Sequence, residues 1–419
     1  MLKPIQVFEF EKLVASDTSF FKTEALGKKV IDKLWQFNDA NKNIYFEAIR
    51  NGVKFKNYVG VIQIGNVTIE ILPKADKNFA TENERGQWHT VLLKMLAKCK
   101  KIKIDSVSKA ALKKRHHSLL DLYFDLFLDE VNMLLNRGLI KQYRKQSGNV
   151  LALKGRLEFS KNIQHNLVHK ERFYTNHQVY DYSHLINQIV LKALLTLKNI
   201  SNNIFIKDRI ERVLSCFPEV KEINITKSHF DKLTTNRKTT DYQEAIKIAK
   251  MILLNYSPDI KGGGENMLAL LFDMNMLWEE YVYRMLTKIQ TDTLKVKFQN
   301  RKQFWEKKLI KPDIVIEKTE VDKSISTYVI DTKWKIIDPK KPGDNDLKQM
   351  YAYNMYWNAS KSMLLYPTSV DLTTDFGSFH KGRTEENQCK LGFIKVMENN
   401  TLNTAIGEDI LNFLDIKNY

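Results

Sequence analysis

The stretch YVIDTKWK, residues 328–335, alternates with the two-residue period of a β-strand. Tyr328, Ile330, Thr332 and Trp334 project to one side, and Val329, Asp331 and Lys333 to the other. A carboxylate and an ammonium therefore share one face of an otherwise apolar strand. Burying such charges without partners costs several kcal/mol, so the strand must lie where something answers them.

Upstream, KPDIVIEK (311–318) reads as a second strand opened by Pro312-Asp313, and the polar EKTEVDKS (317–324) leaves room for one turn. If the two strands pair antiparallel, Asp313 and Asp331 converge. A helix at 344–358, a strand SMLLYP (362–367) and a strand LGFIKV (391–396) follow, which makes an α/β domain. Before the strands, ENMLALLFDMNMLWEEYVYRMLTKIQ (265–290) is expected to form one long helix. Its spacing puts Leu268, Phe272, Asn275, Glu279, Val282 and Leu286 on one face, so Glu279 is a carboxylate on a largely apolar stripe. Glu280 groups with Asp273, Arg284 and Thr287 on a more solvated face. On the 344–358 helix Asp346, Gln349 and Tyr353 fall at i, i+3 and i+7, a polar stripe beside Tyr351, Tyr356 and Trp357.

Two converging carboxylates beside a lysine suit a phosphodiesterase that uses Mg²⁺, a hard cation that takes oxygen ligands and keeps several waters. Lys333 could orient or help deprotonate the attacking water and stabilise the charge that develops. The competing reading is a surface hairpin with a salt bridge. The Ile, Val, Tyr and Trp residues around both carboxylates argue against it. For Glu279 a capping or ion-pair role stays open, and for the helix aromatics plain packing does.

The 419-residue chain is 43% hydrophobic and 27% charged, as in globular proteins, but its formal net charge is +17. That excess suggests a polyanionic partner, most simply nucleic acid, although a Lys- and Asn-rich genome would also inflate it. Cys99, Cys216 and Cys389 lie far apart, without zinc-ligand spacing, which fits a reducing cytoplasm. No apolar run is long enough for a signal peptide or a membrane span. No GxxxxGK[ST] occurs, so this chain is not expected to hydrolyse nucleotides itself.

Residues 1–75 read as mostly β, with a helix near 26–38 and a hairpin turning at Gly65-Asn66. A helix near 84–99 leads to the basic run 98–115, read as a solvated connector. The clearest helix is 118–138, with Ser118 as N-cap and Gly138 as C-cap. A hairpin over 140–161 turning at Gly148-Asn149 comes next, then helices near 180–200 and 241–255. The glycines at 262–264 read as a linker. The expected architecture is a multidomain α/β (α+β) protein: a β-rich domain at 1–100, a largely helical region at 101–260 and a mixed sheet flanked by helices at 261–419.

Pro312-Asp313 followed by Asp331-x-Lys333 resembles the motif of the PD-(D/E)XK nucleases. The preceding Glu279 and the following Gln349-x-x-x-Tyr353 resemble its RecB-like branch. Together with VGVIQIGNVTIEILPK (59–74), GLIKQYRKQSGNVLALKGRLEF (138–159) and FDMNMLWEEYV (272–282), the chain is similar over nearly its whole length to the McrC family of modification-dependent restriction systems. Trp278 stands where that family suggests Phe.

The resemblance implies a DNA endonuclease subunit with Asp313, Asp331 and Lys333 as catalytic residues and Gln349 and Tyr353 in support. Glu279, Asp313 and Asp331 would bind Mg²⁺, with Mn²⁺ as a substitute. It further implies a McrB-like AAA+ GTPase hexamer as partner, which uses the GTP and is stimulated by this chain, and double-stranded DNA as substrate. Residues 1 to about 260 would then dock the partner, with the basic segment 140–161, including Arg144 and Arg156, as the candidate for its pore. A stand-alone RecB-like nuclease acting on DNA ends is the alternative; the scattered cysteines speak against the iron–sulfur members of that group. A non-catalytic adaptor is a third possibility, disfavoured by the intact acidic and lysine set.

Overall fold

The computed structural model describes residues 4–74, 82–101, 118–234, 236–257, 266–379 and 387–416. Most of the basic segment 98–115 and the glycines at 262–264 lie outside them. The chain divides into two compact units, one drawn from residues 62–68 and 109–270 and the other from 4–61, 69–108 and 271–419. Among the described residues no helix is long and apolar enough to cross a membrane.

The first unit is built on helices Leu119–Arg137, Leu185–Ile200, Ile204–Cys216 and Gln243–Leu254. Ser118 caps the first of them by accepting a hydrogen bond from the Asp121 N–H, and Gly138 ends it at φ 86°. Leu120, Tyr123, Phe124, Phe127, Leu128 and Val131 are buried along that helix, as its apolar stripe requires.

The Gly148-Asn149 turn is not there. Gln142–Val150 is one unbroken strand, paired antiparallel with Phe173–Asp181 so that Gly148 faces Thr175 and Asn149 faces Tyr174. A tight hairpin turn needs a positive φ; Gly65, between strands Tyr58–Ile64 and Val67–Leu72, and Gly155 have one, and Gly148 does not. The sequence after Val150 instead runs through Gly155 into a short strand, Arg156–Leu157, and a helix, Phe159–Asn166.

The second unit holds an N-terminal part and the C-terminal sheet. Ile5–Phe8 pairs in parallel with Val67–Leu72, and Lys12–Val14, Gly52–Phe55 and Phe46–Ile49 form a small antiparallel sheet against helix Glu24–Ala40. The larger sheet has the strand order Leu294–Phe298, Ile314–Thr319, Ile325–Thr332, Lys361–Thr368, Gln388–Lys395, Phe376–Ser378. Its first three strands are antiparallel, whereas Ile325–Thr332, Lys361–Thr368 and Gln388–Lys395 run parallel, with helix Asp344–Trp357 as the crossover between the first two of these. This is the mixed sheet with flanking helices that the pattern suggested.

The expected long helix over 265–290 is divided. Met267–Asp273 is a strand, and only Met274–Lys288 is helical. An apolar run such as MLALLF is equally compatible with a buried strand, and periodicity cannot separate the two. Asp273 decides the boundary: its side chain accepts a hydrogen bond from the Asn275 N–H at 2.8 Å and caps the helix. Leu268 and Phe272 therefore do not share a helix face with Glu279. Residues 302–310 form a two-stranded ribbon, Lys302–Trp305 with Lys308–Ile310.

Candidate active site

Asp331 lies in the last turn of pleat of Ile325–Thr332, and Lys333 follows the strand's end, its N–H bonded to the Leu365 carbonyl. The register pairs Ile314 with Ile330, which brings Asp313, one residue before its strand, level with Asp331 and within reach of the adjoining Thr332. Asp313 Oδ2 accepts hydrogen bonds from the Thr332 N–H at 2.7 Å and the Thr332 hydroxyl at 2.9 Å. Thr332 was not singled out from the sequence, yet it fixes the rotamer of the first carboxylate.

Asp331 is 2% exposed, and the Lys333 ammonium stands 2.7 Å from its Oδ2. Lys333 also donates to Gln349 Oε1 at 3.2 Å; the Gln349 amide donates to the Tyr353 hydroxyl at 2.7 Å, which donates to the Lys311 carbonyl at 2.8 Å. Gln349 and Tyr353 are thus joined to the lysine by a continuous chain of hydrogen bonds. The third stripe residue, Asp346, holds Lys335 at 2.6 Å and lies 3.8 Å from Lys333.

Glu279 comes to the same place from helix Met274–Lys288, and its Oε1 accepts from the Gln299 amide at 2.7 Å. Glu280 instead pairs with Lys101 at 2.8 Å and Arg284 at 3.2 Å, an ordinary ion-pair role. Trp278 is fully buried and packs on Trp334 with ring centroids 5.3 Å apart, so the residues flanking Glu279 and Lys333 support each other.

Burial and repulsion dominate the electrostatics. Burial, followed by the charge of Asp313, pushes Glu279 up to about 7 and Asp331 up to about 6. Burial also raises Asp313, and its hydrogen bonds from Thr332 offset that only in part. Burial works against the Lys333 ammonium, but the adjoining Asp331 carboxylate outweighs it and holds the pKa above the ordinary value. A lysine so placed keeps its proton near neutrality and presents a positive charge.

Among the described residues no three His, Cys, Asp or Glu side chains form a group that could hold a metal ion together. Asp313 lies near enough to raise the pKa of both Glu279 and Asp331, and Asp331 that of Glu279, but the three are not a closed cage. The donors nevertheless fit a hard cation. All are carboxylate oxygens in a partly desolvated place, Asp313 and Asp331 facing each other across paired strands, and Mg²⁺ is commonly bound through one or two carboxylates with waters and substrate phosphate. Arg144, named with the segment 140–161, belongs to the other unit and is 2.7 Å from Asp181 in an ion pair. Arg156 opens the short strand Arg156–Leu157 and is exposed.

The profile of the family described as "McrBC 5-methylcytosine restriction system component" matches residues 53–367. The type IV methyl-directed restriction enzyme EcoKMcrBC of Escherichia coli (strain K12) is 24% identical over 176 residues, 40% of this chain and 49% of that protein. The chain therefore spans about half the length of the curated relative it matches. A chain from the assembly of Thermococcus gammatolerans McrB AAA+ hexamers with bound McrC has the same fold, with a TM-score of 0.69 over 98% of this chain and 99% of that one at 17% identity. The family match covers well over half of the sequence and takes in Glu279, Asp313, Asp331, Lys333, Gln349 and Tyr353; the chain belongs to the McrBC 5-methylcytosine restriction system component family.

Proposed function

We propose that this chain is the DNA-cleaving subunit of a modification-dependent restriction complex: a Mg²⁺-dependent endodeoxyribonuclease that works with, and stimulates, a McrB-like AAA+ GTPase hexamer. The observation that carries the reading is the pair of buried Asp331 and half-buried Lys333, with Asp313 and Glu279 near enough to feel its charge at the end of the mixed sheet. Asp313 and Asp331, with Glu279 alongside, would hold Mg²⁺, or Mn²⁺ in its place. When bound, the ion would offset charge on the scissile phosphate and lower the pKa of a water. Lys333 supplies a fixed positive charge toward that phosphate. Gln349 and Tyr353 aim it, and Thr332 aims Asp313.

The solved assembly that shares the fold pairs McrC with McrB AAA+ hexamers, which supports a ring partner for this chain. GTP would be used by that partner, since this sequence has no phosphate-binding loop. The strand ribbon Gln142–Val150/Phe173–Asp181 suits the docking role, because Tyr143 and Tyr180 pack together on it, ring centroids 4.7 Å apart and planes tilted by 37°, and both are largely exposed.

The test is Asp331→Asn in the full complex with its partner. DNA cleavage is expected to fall by about a thousandfold or more, as for loss of a group essential to the transition state, while stimulation of GTP hydrolysis is retained. If a folded Asp331→Asn protein cut DNA normally, the site assignment would be wrong. Cleavage by the wild-type chain with Mg²⁺ and no partner would favour the stand-alone nuclease.

A further inference from the structure

Just before Pro312-Asp313 the chain forms an isolated antiparallel ribbon, Lys302–Trp305 against Lys308–Ile310, turned by Glu306 and Lys307. Glu306 takes a positive φ of 45° at the turn, and the register shifts between Gln303 and Trp305. Among the described residues the ribbon joins no larger sheet, and all residues from 301 to 309 are exposed. Three large apolar side chains are nevertheless displayed on it: Phe304 at 51%, Trp305 at 61% and Leu309 at 58% exposure. Around them stand Arg301, Lys307, Lys308 and Lys311, against the single acid Glu306.

The base of the ribbon is held firmly. Lys302 donates to the Tyr356 carbonyl at 2.7 Å and lies 5.0 Å over the Trp357 ring. The Tyr356 hydroxyl donates to the Phe304 carbonyl at 3.1 Å, and the Trp357 N–H to Asn300 at 3.1 Å. All these anchors come from helix Asp344–Trp357, which also carries Gln349 and Tyr353. The Tyr353 hydroxyl, in turn, fixes the Lys311 carbonyl two residues before Asp313. Ribbon and carboxylates therefore share one support.

We propose that this ribbon is a DNA-contacting arm of the candidate site. Lys307 and Lys308 lie on backbone phosphates, and Trp305 and Leu309 lie against sugars and base edges of a duplex that passes Asp313 and Asp331. The proposal rests on the nuclease reading above. A duplex is favoured over a protein because protein-docking patches are depleted in lysine, whereas aromatic side chains among cations that outnumber the acids suit nucleic acid. A two-stranded ribbon also has the width to enter a groove. The excess of positive charge over the whole chain, +17, points the same way.

The test measures binding of the full-length chain to a fluorescent DNA duplex across a salt series, with Ca²⁺ replacing Mg²⁺ to hold back cleavage. Lys307→Ala/Lys308→Ala should make the slope of log affinity against log salt shallower by about 1.8, the value for two lost phosphate contacts. Trp305→Ala should weaken binding about tenfold and leave that slope as it was. Both variants change exposed side chains at a ribbon tip, so folding is not at stake. If the wild type binds and, with its partner and Mg²⁺, cuts DNA while both variants match it in affinity and slope, the arm is overturned and the nuclease reading stands. If the variants bind DNA normally but fail to stimulate the partner's GTPase, the ribbon serves a protein contact and the proposal is equally overturned. If the wild type neither binds nor cuts DNA, both readings fail together.

Discussion

At the scale of single residues, Glu9 is the most unusual group outside the site. It is 3% exposed, and its Oε1 accepts from the Trp334 indole at 2.6 Å and the Lys74 N–H at 2.8 Å, while Oε2 has no partner among the described residues. Burial pushes its pKa up to about 8 despite those two donors. In the unfolded chain Glu9 ionises near 4.5, so between about 4.5 and 8 the folded state binds the extra proton. Its contribution to stability is fully present below 4.5 and is lost as pH rises through 8, a swing on the order of a few kcal/mol. Glu9→Gln keeps an oxygen for Trp334 and removes the titration. Urea unfolding at a series of pH values should therefore show a flatter profile between about 5 and 8 than the wild type. A second titration belongs to the site: Glu279 near 7 and Asp331 near 6 must give up protons to hold a cation. Mn²⁺ affinity, read by calorimetry, should climb as pH rises through 6 to 7 and lose most of that climb in Asp331→Asn.

At the scale of elements, the sequence was most legible where side-chain chemistry and period agreed. Asp331 and Lys333 could be placed on one side because YVIDTKWK alternates cleanly, although the strand itself ends at Thr332, and helix Asp344–Trp357 could be phased because its polar stripe is regular. Gln299 and Thr332 were invisible for a physical reason: they act through hydrogen bonds that exist only once two elements meet, and neither residue type is distinctive. MLALLF misled because a buried strand has no polar face to reveal its period, so only the Asp273 cap could mark where strand becomes helix. Packing between elements was equally hidden. Gly407 opens the turn where helix Ile406–Phe413 meets helix Met274–Lys288, and a Cβ there would stand 2.8 Å from the Met285 carbonyl oxygen. Gly407→Val should push the two helices apart and cost roughly 3 kcal/mol, seen as a lowered Tm. Gly407→Ala should cost less. Because the second helix carries Glu279, cleavage by the valine variant should fall even below the temperature at which it unfolds.

At the scale of the whole molecule, the two units carry different kinds of surface. One holds buried Asp331 with the half-buried Glu279, Asp313 and Lys333, which are suited to chemistry; the other presents a ribbon with exposed tyrosines, suited to docking. If the roles divide this way, damage to each should be separable. Tyr143 is 70% exposed on Gln142–Val150, and its ring meets only Tyr180 among the described aromatics, so its removal leaves no cavity in a core. Tyr143→Ala with Tyr180→Ala should reduce stimulation of the partner's GTPase at least tenfold, as expected for loss of aromatic anchors worth about 2 kcal/mol or more. The same variant should bind Mn²⁺ at the carboxylate site with wild-type affinity, because no residue of that site is drawn from this unit. Asp331→Asn should give the reverse pattern. Measured side by side, unimpaired stimulation in the tyrosine variant would remove the ribbon from the partner interface. A loss of Mn²⁺ binding in that variant would mean that the two units do not act as separate working parts.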